Sequence, residues 1–231
     1  MTFYKLTDQK MQTREGYQWE MGVWHEATGD ISKGLCSDAW LHCCDSPLLA
    51  ILHNPICGNI PNPRLFEVEV DGESKDDRGI KCGHRRMKIV REIPIPEIST
   101  VQLVAYGILC VKAAFCFEKW NIWADKWLSN EDRTPAAAYA AANAAHAGGG
   151  IVGEISANIA TNAAYAAYDV AYIASVVAAD ASIGSAYDAV HIVNNVAYVV
   201  GDVTDVIANV ARIKTITLNL VQIAEQAMRV K

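Results

Sequence analysis

Eight side chains in the first part of the chain are of types that bind metals or attack electrophiles: Cys36, His42, Cys43, Cys44, His53, Cys57, Cys82 and His84. Thiolates and imidazoles are zinc ligands, and structural zinc sites gather four of them, usually with close C-x-x-C pairs. Here Cys82-Gly83-His84 leaves too short a gap, and Cys36 to Cys43 too long a one, for such a knuckle. The expectation is no metal and no cofactor; Cys36, His42, Cys43 and Cys82 are the set a metal would draw on if one were bound. A thiol beside an imidazole is also a minimal nucleophilic pair. His42 or His84 with Cys43 or Cys44 would supply it, but nothing in the spacing makes them meet, so no catalytic residue is assigned. The P-loop, G-x-G-x-x-G, H-E-x-x-H and G-x-S-x-G patterns are absent. The basic run Arg85, Arg86, Lys88 and Arg91 could grip a phosphate, although pairing with acids across a hairpin gives it a simpler job.

The other residues with a possible role are spaced for helices. Tyr165, Tyr168 and Tyr172 share one helical face. With Tyr187 and Tyr198 they form the expected partner-binding set, because tyrosine brings contact area and a polar tip. Val196, Val199, Val203, Val206, Val210 and Ile213 alternate steps of three and four, and the pattern continues through Thr217, Leu220, Ala224 and Ala227. That is a seam for helix packing, expected to mediate self-association. Trp120, Trp123 and Trp127 also share a face and are expected in the core.

Two kinds of segment must carry these residues, and the composition changes near Ser99. Residues 1–98 predict a small α+β domain with an antiparallel hairpin; residues 99–231 predict an Ala-rich antiparallel helical bundle. Phe3 to Leu6 reads as a strand, and Ser46-Pro47 as a helix start over Leu48 to Leu52. Phe66 to Asp71 alternates apolar and acidic residues, and His84 to Val90 alternates again. An antiparallel register pairing Glu67 with Lys88, Glu69 with Arg86 and Val68 with Met87 matches charge on one face and apolar groups on the other. Glu73 to Gly83 reads as a polar, mobile linker. Four helices are then expected: Thr100 to Leu128, Pro135 to Ala147, Glu154 to Ser182, and Ala186 to about Met228. Thr134-Pro135 caps the second.

Bulk properties narrow the function classes. The chain has 231 residues, 52% hydrophobic and 20% charged, with net charge -6. That describes a folded chain, and since neither half is basic, nucleic acid and anionic membrane are not expected partners. No signal peptide or membrane span is read. Seven cysteines, an odd number with Cys43 and Cys44 adjacent, read as reduced thiols in a cytosolic protein.

Leu35-Cys36-Ser37-Asp38-Ala39-Trp40-Leu41-His42-Cys43, followed by Ser46-Pro47-Leu48-Leu49-Ala50, resembles a motif in uncharacterised proteins of tailed bacteriophages and prophages. Leu65 to Glu73 and Trp120 to Arg133, leading into an Ala-rich tail, are similar to theirs as well; Asp38-Ala39-Trp40 stands where that family more often has Gly. The resemblance implies a phage accessory protein made in the host cytoplasm, and no activity. The expected function is binding of a host or phage protein, as in countering a host defence, without catalysis, and with a homo-oligomer as the expected state. A fainter resemblance to the ADP-ribosyltransferase-like fold implies the alternative, a nucleotide-handling enzyme with its site near His42, Tyr17 and Glu69. A self-assembling structural protein is the third reading.

Overall fold

The computed structural model describes residues 2–114, 117–148, 168–175 and 219–231. It is an α+β protein divided into two compact units, Met1–Glu97 with Asn219–Val221, and Ile98–Leu218 with Gln222–Lys231. Among the described residues no helix is long and apolar enough to cross a membrane.

The first unit is built on five antiparallel strands: β1 (Phe3–Thr7), β2 (Trp24–Glu26), β3 (Leu41–Cys43), β4 (Arg64–Asp76) and β5 (Cys82–Ile93). The order is β1-β4-β5-β2, and β3 also pairs with β5. β3 lies along Cys82–His84, and β2 along Arg86–Lys88. Just past β3, Cys44 and Tyr4 of β1 exchange two backbone hydrogen bonds of 2.8 Å. Pairing therefore runs β1 to β4 to β5 to β3 and back to β1. The strands close a ring, which removes exposed edges along it. Trp19, Cys43, Phe66, Val68, Met87 and Ile89 form a core cluster, with Phe3, Leu41, Val70 and Cys82 packed against it.

The β4–β5 hairpin keeps the expected faces but not the expected register. Glu69 pairs with Lys88, Asp71 with Arg86 and Val70 with Met87, a slip of two residues. An even slip leaves every side chain on its own face and changes only its partner. Ion pairs form at 2.5 Å (Glu69–Lys88) and 2.6 Å (Asp71–Arg86, Glu67–Arg91). The slip arises because the supposed mobile linker is ordered: β4 runs on to Asp76 and the chain turns within Asp77–Lys81. Arg78 and Gly79 take positive φ there, the Asp76 carboxylate accepts the Gly79 N–H, and buried Ile80 anchors the turn. A bulge between Asp71 and Ser74 absorbs one residue, where Gly72 has φ 78°. Two short helices, α1 (Pro47–Leu52) and α2 (Asn54–Cys57), follow β3; α1 starts at Pro47 as expected and packs on β1.

In the second unit α3 is Thr100–Ala114, α4 Glu118–Leu128 and α5 Pro135–Gly148. Ser99 and Gln102 cap α3 reciprocally: the Gln102 N–H donates to Ser99 Oγ at 3.2 Å and the Ser99 N–H to Gln102 Oε1 at 2.9 Å. The single helix expected over Thr100 to Leu128 is two, because Phe117 is extended (φ -104°, ψ 114°) and Glu118 opens a new first turn. Trp120, Trp123 and Trp127 of α4 are buried, as the spacing predicts. Ala138, Ala141, Ala142 and Ala145 make a buried stripe on α5, which packs on α4. Residues 168–175 are helical (α6), and α7 is Leu220–Ala227. Leu220, Ala224 and Ala227, the last three seam positions, are buried. The remainder of the expected third and fourth helices lies outside the described residues.

Candidate functional site

Three neighbouring strands bring chemistry together inside the first unit. In the antiparallel register Cys43 of β3 is the direct partner of Cys82 of β5, and Leu41 is the partner of His84. Strand alternation puts Cys82 and His84 on one side of β5. The sulfurs of Cys43 and Cys82 are 3.3 Å apart. One ligand atom each from Cys43, Cys82 and His84 all fall within 4.8 Å of one another. His84 is buried, its ring meets Phe3 edge-on at 4.9 Å, and its Nε2 has no hydrogen-bond partner.

β1 adds a cation. Lys5 is buried, donates from Nζ to the His42 carbonyl at 2.7 Å and lies 4.4 Å from the centre of the Trp19 ring. Burial pulls its pKa down to about 8, opposed by the nearby Cys43, Cys44 and Cys82 thiols. The two register-paired thiols titrate as a unit. The hydrogen bond between the sulfurs, in which either can donate, pulls Cys82 down to about 6 while burial opposes and His84 assists. The same hydrogen bond, then burial, pushes Cys43 up. Cys82 is the partly exposed member of the pair and Cys43 the buried one, and the Cys82 S–H also reaches the Cys43 carbonyl at 3.4 Å. Cys44, by contrast, is pushed up mainly by burial.

The sequence-derived candidates are distributed as follows. Of the possible metal set, Cys43 and Cys82 meet. Cys36 is exposed and takes a contact from Lys81 Nζ at 3.2 Å. The His42 ring is held by Nε2 on the Leu35 carbonyl at 2.7 Å. Tyr17, His42 and Glu69 are engaged separately: the Tyr17 hydroxyl lies 3.2 Å from His25 Nδ1, and Glu69 pairs with Lys88. The basic run serves the hairpin, and Arg85 ties the Gly29 and Ala39 carbonyls at 2.8 and 2.6 Å. Tyr168 and Tyr172 stack with centroids 6.1 Å apart, and Tyr172 is exposed. Tyr165, Tyr187 and Tyr198, and Val196, Val199, Val203, Val206, Val210 and Ile213, lie outside the described residues. Sequence reasoning gave Lys5 no role and left His84 out of the metal set. The signals were present: a lysine inside an apolar strand, and Cys-x-His spacing, which in a strand shares a face.

The fold and the site define a class: a small domain of antiparallel strands closed in a ring, with a thiol pair, an imidazole and an ammonium inside. Residues 1–101 match a family model described as Domain of unknown function (DUF7666), so this domain of unknown function covers the strands and the site. No curated protein matches the chain, and no solved structure matches it.

Proposed function

We propose that the first unit is a thiol-based redox module in which Cys43 and Cys82 pass reversibly between dithiol and a cross-strand disulfide. The supporting observation is the 3.3 Å separation of two sulfurs on directly paired residues. Facing residues in antiparallel strands have Cα atoms about 4.5–5.5 Å apart, inside the range a disulfide spans. The bond therefore forms by side-chain rotation. Cys82 is the attacking group: it is the more exposed of the two, and its pKa is the one pulled down. With a low-molecular-weight disulfide as oxidant, the Cys82 thiolate attacks one sulfur and expels one small thiolate. Cys43 then gives up its proton, attacks Cys82 of the mixed disulfide and expels the second. Two protein thiols are oxidised and one small disulfide is reduced to two thiols. Lys5 favours the thiolate forms through its charge.

The test is oxidation of the reduced protein with glutathione disulfide, followed by alkylation and peptide mass mapping. Loss of two alkylatable thiols and a peptide pair joined through Cys43 and Cys82 are expected. Cys43→Ser should stop at a glutathione adduct on Cys82, and Cys44→Ser should behave as the unaltered protein. Seven alkylatable thiols remaining after oxidation, or a bridge that survives Cys43→Ser, would overturn the reading.

A further inference from the structure

Disulfide formation uses two members of the cluster and leaves His84 unexplained. His84 as a whole is 7% exposed, and its Nε2 is buried without a partner. A buried polar atom left unpaired is destabilising, so an occupant that engages its lone pair would be stabilising. One ring nitrogen of His84 lies within 4.8 Å of both sulfurs. We propose that in the reduced protein Cys43, Cys82 and His84 are three ligands to one soft divalent cation of the zinc class, with a fourth position for an exchangeable ligand.

Ligand chemistry and geometry both support this. Two thiolates and an imidazole are the donors zinc prefers over oxygen-loving cations. Ligand atoms around a tetrahedral zinc stand roughly 3.3–3.8 Å from one another, given bonds of about 2.0–2.3 Å. The sulfurs must open slightly from 3.3 Å, and any sulfur–nitrogen gap must close by about 1.5 Å at most, from an upper bound of 4.8 Å. Side-chain torsions suffice, since the backbone positions are set by the β3–β5 register. Two thiolates balance the charge of a divalent cation and neutral His84 adds none. The Lys5 ammonium therefore leaves the pocket positive and favours an anionic fourth ligand, such as hydroxide or a carboxylate. The inference shares Cys43 and Cys82 with the redox reading but depends on His84, which the disulfide does not need.

The experiment titrates cobalt(II), then zinc, into phosphine-reduced, chelator-treated full-length protein. One equivalent of cobalt should give thiolate-to-metal absorption in the near ultraviolet and tetrahedral visible bands, both bleached by zinc. His84→Gln and Cys82→Ser should weaken binding at least about tenfold, while Cys36→Ser should bind as the unaltered chain does. Zinc should also slow oxidation by glutathione disulfide in the unaltered protein and not in His84→Gln. Absence of thiolate absorption, or equal affinity in His84→Gln, would overturn the site. If His84→Gln does not fold, the cobalt form of the unaltered chain decides: a paramagnetically shifted imidazole proton supports the inference and its absence refutes it. Disulfide formation in His84→Gln, or in the unaltered metal-free chain, is scored separately, so either reading can fail alone.

Discussion

His53 is held as a neutral ring. It is buried, and its Nδ1–H donates to the Ile80 carbonyl at 3.0 Å. Burial pulls its pKa down from 6.5 to about 4, against the hydrogen bond, which acts the other way. Between those values the unfolded chain binds the proton and the folded one does not. Stability is therefore complete above pH about 6.5 and falls as the pH drops toward about 4, by about 3 kcal/mol in all. His53→Asn keeps an N–H donor and removes the titration. Urea unfolding from pH 7 down to 4 should show the difference between the two proteins shrinking, or reversing, as the pH falls. Parallel curves would show that the acid sensitivity comes from other groups. Lys5 obeys the same physics with a functional consequence. Burying an ammonium costs stability, and its position beside Cys43 and Cys82 turns that cost into stabilisation of the thiolates that redox chemistry or metal binding requires.

Elements were legible where their signal is local. The strands over Phe3–Thr7 and from Phe66, the Pro47 helix start, the buried Trp face of α4 and the Thr134-Pro135 start of α5 all follow from spacing and caps. The β4–β5 register did not, because two registers that differ by two residues match charge and apolar faces equally well; the turn at Asp77–Lys81 and the bulge at Gly72 choose between them. Strand β3 is three residues long and exists by pairing with β5, about forty residues away along the chain. Its pairing places Cys43 on Cys82, so the site was no more legible than that pairing. The Cys82–His84 alternation was readable; its meeting with Cys43 was not. The alanine pattern of α5 carries its own test. Ala142 is fully buried in the stripe, whereas Ala140 is exposed. Ala142→Leu forces extra methyl groups into a close helix contact and should cost about 1–3 kcal/mol. Ala140→Leu should change stability by less than about 0.5 kcal/mol. Equal effects on thermal unfolding would mean that the stripe does not set the helix spacing.

At the scale of the molecule, the two units differ in what holds them. The first is a ring of strands whose partners are distant in sequence, and the second has helices joined through alanine and tryptophan faces. A covalent link should therefore act on one and not the other. Cys43 and Cys82 are 39 positions apart, and closing a loop of that size restricts the unfolded chain by about 4 kcal/mol in the chain-entropy model. The gain belongs to whatever unfolds together with that loop: β3, β4, β5 and the β1 strand that closes the ring through Tyr4 and Cys44. Hydrogen exchange of reduced and oxidised protein, read peptide by peptide, resolves this. Amides of β1, β4 and β5 should exchange more slowly after oxidation, and those of α4 and α5 at an unchanged rate. A matching slowdown in α4 and α5 would mean that the units unfold as one cooperative block. Slowing confined to the residues flanking Cys43 and Cys82 would mean that the ring opens strand by strand, and that oxidation of the site is felt only locally.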